Sequence, residues 1–89
     1  MIVRYVYRCR CNASGQVVAL ASRAAEWSPR PVEQVIDDLD SDRYRYLIRW
    51  ETGDAEVAIV DDPFAPGRRT IDAATSDGRP GGLALLPHA

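Results

Sequence analysis

Between Trp27 and Trp50 the hydrophobic repeat changes from helical to extended. That change limits the chain to folds in which a short helix runs straight into a strand. Val32, Val35, Ile36 and Leu39 recur at i, i+3, i+4 and i+7, the spacing that gathers apolar side chains on one stripe of a helix. Asp40-Ser41-Asp42 ends the stripe. Tyr44, Tyr46, Ile48 and Trp50 then alternate with Arg43, Arg45, Leu47 and Arg49, a period of two and therefore a strand. A helix and a strand patterned in this way bury their apolar faces against each other. The pattern therefore predicts a sheet with a helix on one face and arginines on the other.

The flanking sequence extends that architecture. Over residues 2–11, Val3, Tyr5, Tyr7, Cys9 and Cys11 share one face of a strand, and Ile2, Arg4, Val6, Arg8 and Arg10 share the other. Asn12-Ala13-Ser14-Gly15 reads as a turn, and residues 16–21 as a second strand completing a hairpin. Residues 22–30 form a loop containing Trp27. Pro31 suits the first helical position, where a missing N–H costs nothing, and Glu33 the third, where the dipole favours an anion. Arg30 then falls at the N-cap, a poor capping residue, so the helix should start weakly. Thr52-Gly53-Asp54 is a turn into a strand over residues 56–60, stopped by Asp61-Asp62-Pro63. Residues 68–72 add a short edge strand. The expected fold is α+β in the order β-β-α-β-β: an antiparallel sheet of four or five strands with one helix packed on one face. It forms one domain over residues 1–89, with a turn-rich C-terminal tail from about residue 73, whose Leu83 and Leu86 could seal an open edge of the core.

Composition narrows the class further. With 89 residues, 46% hydrophobic and 27% charged, the chain is an ordinary globular one that buries about 60–65% of its unfolded surface. A net charge of -2 announces no partner. All eleven basic residues are arginine, which fits a GC-rich coding bias; every cation is therefore a planar guanidinium suited to forked pairing and stacking. Arg4 follows Met1-Ile2-Val3 at once, so no secretory leader is expected, and no apolar run is long enough to span a membrane. A bacterial, cytoplasmic protein is the expectation.

The opening Tyr/Val strand, the Trp in the loop before the helix, and the helix starting at Pro31-Val32-Glu33 with Ile36 inside belong to one pattern. So do Tyr44-x-Tyr46, the small aliphatics of residues 57–60, and a C-terminal Asp77-Gly78, Pro80, Leu83 and Leu86-Pro87. In these features, which cover nearly its whole length, the chain resembles a small bacterial family named only as domain of unknown function 3892. The resemblance implies the architecture and no activity. Ile71-Asp72-Ala73-Ala74 and Gly81-Gly82 stand where the family pattern has Tyr-Leu-Lys-Thr and paired asparagines, so it carries over no site residue.

Candidate sites follow from the pattern. Arg4, Arg8, Arg10, Arg43, Arg45 and Arg49 form a candidate binding face. A basic sheet with nearby aromatics can hold single-stranded nucleic acid by phosphate contact and stacking. Cross-strand pairing of the same arginines with Glu51, Asp54 or Glu56 is the plainer reading. Trp27 and Trp50 are candidate interface anchors and equally ordinary core residues. Cys9 and Cys11 share a face, but their strand geometry suits neither a relaxed mutual disulfide nor, without more ligands, a metal site. The only histidine is His88, near the end of the sequence. Reduced thiols are expected. Asp37, Asp38, Asp40 and Asp42 read as a solvated acidic turn without calcium-loop spacing. No Ser or Cys has a histidine partner for a nucleophilic triad. No catalytic residue, cofactor or metal is therefore expected. The first functional reading is a non-enzymatic interaction or accessory module, with an unidentified protein partner or self-association through a sheet edge or the Trp50 region. The alternative is a nucleic-acid-associated protein using the arginine face.

Overall fold

The alternation over residues 2–11 is divided between two strands, Ile2–Tyr5 (β1) and Arg8–Cys11 (β2), in the computed structural model, which describes residues 1–23 and 26–88. Then come Val17–Ala21 (β3), the two-residue Arg30–Pro31 (β4), the helix Val32–Asp40 (α1) and Tyr44–Trp50 (β5). Gly53–Glu56 (β6), Ala58–Asp61 (β7) and Arg69–Asp72 (β8) follow, and Gly82–Leu85 makes one 3-10 turn. The α+β class is as expected. Among the described residues, no helix is long and apolar enough to cross a membrane.

The single sheet is not what forms. The strands make three small sheets, ordered β1-β5-β6, β2-β3-β4 and β7-β8, and all their pairs are antiparallel except the parallel β1–β5. The chain changes sheet at two valines. Val6 N–H donates to Leu47 O (2.8 Å) in the first sheet, and the next residue, Tyr7, donates to Ala21 O (3.0 Å) in the second. Val57 N–H donates to Tyr46 O (2.8 Å), after which β7 departs to pair with β8. Both valines are buried in the core cluster. Dimensions explain why one flat layer fails. A nine-residue helix is about 14 Å long and 10 Å wide, whereas five strands side by side span roughly 19 Å. Bending the layer at Val6 and Val57 wraps three sheets around α1, which contacts members of all three.

Local features agree more closely. Asn12 Oδ1 accepts the N–H groups of Ser14 and Gln16 (both 3.0 Å), and Gly15 takes φ 81°, closing the expected β2–β3 hairpin. The helix starts one residue later than the sequence suggests. Pro31 occupies the N-cap and no side chain caps the first turn, so the weak start is present. Asp42, at φ 58°, turns the chain out of α1 into β5.

The core brings together Val6, Leu20, Val35, Tyr46, Ile48, Val57, Ile71 and Leu83. The tail residue Leu83 is only 1% exposed, and Leu86 packs against the same cluster, so the tail closes the core as its leucines suggested. Two bonds bring it there: Gly82 N–H to Ala73 O (2.8 Å) and Gly81 N–H to Asp72 Oδ2 (2.8 Å).

Candidate functional site

The six arginines do not share a face. The β1–β5 register pairs Ile2 with Tyr44 and Arg4 with Tyr46, so Arg4 lies on the tyrosine side of the sheet, against the helix. The expectation that guanidinium groups and phenol rings take opposite sides fails at this residue. It fails also at Tyr5, which lies on the outer face beneath Arg49. The alternation itself was sound. The Ile2, Arg4 and Val6 side of the alternation turns inward, because an arginine with an internal partner can replace an apolar residue there.

That partner is Asp38. Arg30 donates to it twice, from Nε to Oδ2 and from Nη2 to Oδ1, both at 2.8 Å, the forked geometry that suits a guanidinium to a carboxylate. Tyr46 O–H donates to Oδ2 at 2.5 Å, and Arg4 Nη1 donates to the Tyr46 hydroxyl at 2.7 Å and lies 3.4 Å from Oδ2. The Arg4 guanidinium also stacks 3.9 Å from the Tyr44 ring centroid, and Trp27 meets Tyr46 edge-on at 5.6 Å. Burial pushes the Asp38 pKa up, but the bonds from Arg30 and Tyr46 and the charges of Arg30 and Arg4 outweigh it and hold the carboxyl below its usual range. Burial, with the bond to Asp38, pushes the Tyr46 phenol up, so the phenol keeps its proton and donates. Among the described residues every buried side-chain nitrogen and oxygen has a partner. The cluster is closed, and it ties α1, β1, β4 and β5 together.

Asp38 is therefore no part of a solvated acidic turn. The signal for it was its place three residues after Val35, flanking the apolar stripe, where an aspartate needs a cationic partner.

On the outer face two of the six arginines form cross-strand pairs. Arg45 forks onto Glu56 with two 3.0 Å bonds, and Arg49 lies 3.8 Å from Asp54 and 4.3 Å above the Tyr5 ring. The bond from Arg45 holds the Glu56 carboxyl below its usual range. Both pairs are exposed and hence screened by solvent. Arg45→Ala is accordingly expected to leave the urea-unfolding midpoint unchanged within experimental error; a measurable drop would show that this exposed pair stabilises the fold. Arg8 and Arg10 lie exposed on β2, in a different sheet, and Arg43 is exposed just before β5. These three take part in no ion pair among the described residues.

Both tryptophans are half-buried against the core, and Trp50 Nε1–H donates to Ala74 O at 2.8 Å. Cys9 and Cys11 are free thiols, Cys9 buried and Cys11 half-buried. No group of three His, Cys, Asp or Glu residues among those described is placed to hold a metal ion. A cleft of about 220 Å³ opens between Val17, Val60, Phe64, Ile71 and Leu83. It is smaller than most ligand sites. Asp62 and Asp72 at its wall already accept the backbone N–H groups of Phe64, Ala73 and Gly81.

A feature that the sequence did not single out is the outer edge of β1. It ends the sheet β1-β5-β6, and Ile2 and Val6 turn their N–H groups inward, to Arg43 O and Leu47 O. In a parallel ladder the intervening residues, Val3 and Tyr5, then point their main-chain groups outward. Met1, Ile2 and Val3 are 75%, 56% and 43% exposed. Comparison with protein-family models, with curated proteins and with solved structures gave no match to this chain.

Proposed function

We propose that this protein is a non-enzymatic interaction module that pairs with a second copy of itself through the free edge of β1. The observation that carries the reading is that edge: main-chain donors and acceptors at Val3 and Tyr5 that have no partner among the described residues, beside the exposed side chains of Met1, Ile2 and Val3. Among the described residues β1 carries no lysine, proline or bulge and no segment covers its edge; its guards against pairing are its four-residue length and the inward Arg4, whose charge is held by Asp38.

The sequence of β1 suits antiparallel self-pairing. Centring a twofold axis on Val3 sets Val3 against its symmetry mate, Met1 against Tyr5, and Ile2 against Arg4. No arginine then faces an arginine, and the Arg4 charge stays with Asp38. The closed Asp38 cluster supports a non-enzymatic role, since its acid, phenol and guanidinium groups are occupied with one another. The nucleic-acid reading loses support, because Arg4 is half-buried against Asp38, Arg45 and Arg49 pair with carboxylates on the outer face, and Arg8 and Arg10 face out from another sheet.

Sedimentation or light scattering over a concentration series tests the proposal. The wild-type chain is expected to dimerise. Val3→Lys, which sets two ammonium groups opposite each other without touching the β1–β5 ladder, is expected to remain monomeric with an unchanged far-UV spectrum. A wild-type chain that stays monomeric throughout, or a dimer indifferent to Val3→Lys, would overturn it.

A further inference from the structure

Cys9 and Cys11 are closer than their places in a strand would give. Side chains at i and i+2 of a regular strand leave the backbone about 6.6 Å apart. Here the two Sγ atoms stand 3.7 Å apart, opposite a register shift whose extra residue, Val18, lies on β3. The C-terminal tail lies along the other edge of β2. Cys9 Sγ–H donates to Leu83 O (3.0 Å), Cys9 N–H to Pro87 O (3.1 Å) and Cys11 N–H to His88 Nε2 (3.5 Å).

We propose that Cys9 and Cys11 form a dithiol modification site, which a hydroperoxide oxidises to an intramolecular disulfide that loosens residues 83–88 from β2. Cys11, the more exposed sulfur, attacks the peroxide O–O bond as its thiolate and becomes a sulfenic acid, and the departing oxygen leaves as water after taking up a proton. Cys9 Sγ then attacks the Cys11 sulfur, the sulfenic hydroxyl leaves as water with the Cys9 proton, and the S–S bond forms. Two thiols and one hydrogen peroxide thus give one disulfide and two waters. Burial pushes the Cys9 thiol up to about 12, so Cys9 remains protonated until that second step and acts as the resolving sulfur. Once its proton is gone, Leu83 O loses its sulfur donor and retains the Leu86 N–H at 3.2 Å.

The reduced 89-residue chain is treated with hydrogen peroxide and followed by thiol titration, non-reducing mass spectrometry and amide exchange. Both thiols are expected to disappear together with the loss of two hydrogen masses, reversed by dithiothreitol, and exchange over residues 83–88 should quicken. Cys11→Ser should slow the peroxide-dependent loss of the remaining thiol by about tenfold or more. Cys9→Ser should stop at a sulfenic acid that dimedone traps; should that buried substitution prevent folding, the wild-type mass and Cys11→Ser still decide. Sulfinic or sulfonic acid, or a disulfide between chains, as the main product would overturn the site. A disulfide with unaltered exchange in the tail would overturn its coupling to residues 83–88.

Discussion

Asp38→Ala is expected to lower the unfolding free energy by about 3–5 kcal/mol. The size follows from what the substitution abandons. Arg30 loses a forked pair, the Tyr46 hydroxyl loses its acceptor, and Arg4, largely covered by Tyr44 and Trp27, loses its counter-charge. A domain of this size has on the order of 5–10 kcal/mol in all, so the variant should sit close to unfolding. Urea titration provides the check, with the wild-type slope retained if the native state is otherwise intact. Tyr46→Phe separates the contributions. It removes only the hydroxyl between Arg4 and Asp38 and leaves the forked pair, so its cost should be about 1–3 kcal/mol. A loss below about 1 kcal/mol in Asp38→Ala would mean that the guanidinium groups find water instead.

The same carboxylate predicts an acid limb. Its folded pKa is depressed, so the stabilisation is fully present above the ordinary carboxylate value of about 3.9 and is lost as pH falls through the lower folded value. The unfolding midpoint of the wild-type chain should therefore drop below about pH 4, and the drop should be smaller in Asp38→Ala. Equal acid sensitivity in both proteins would place the responsible group elsewhere.

Leu83→Ala is the second large effect, expected at about 2–5 kcal/mol. A tail residue would ordinarily tolerate truncation, but this side chain is 1% exposed among Cys9, Leu20 and the other core residues, and removing it leaves a cavity that the short strands around it cannot collapse to fill. The adjacent Gly82 gives an independent check. A Cβ there would stand 2.5 Å from Ala74 O and 2.6 Å from Ala73 O, both backbone atoms, so Gly82→Ala must shift the tail and should cost about 1–3 kcal/mol. A change below about 0.5 kcal/mol in Leu83→Ala would show that the tail covers the core without stabilising it.

Local periodicity made the helix, the hairpin and β5 legible, because the side-chain repeat there coincides with the element that forms. Sheet membership was not legible. At Val6 and at Val57 the alternation continues undisturbed while the hydrogen-bond partner changes, and side-chain patterns do not report partners. The parallel β1–β5 register was hidden for the same reason, and with it the meeting of Arg4 and Tyr46. Of the candidate face, the pairing of Arg45 and Arg49 with Glu56 and Asp54 could be anticipated from opposite charges flanking a turn. Asp38 was masked by its acidic neighbours, and the 3.7 Å approach of the Cys9 and Cys11 sulfurs leaves no mark in residue type.

The parallel pairing of β1 with β5 also bears on the order of assembly. A ribosome delivers Ile2 long before Tyr44, its ladder partner, whereas β2 and β3 can close on each other as soon as Ala21 has emerged. During synthesis, then, the first strand waits with both flanks bare until the helix and its successor are made, and that interval is when nascent copies are most prone to adhere to one another.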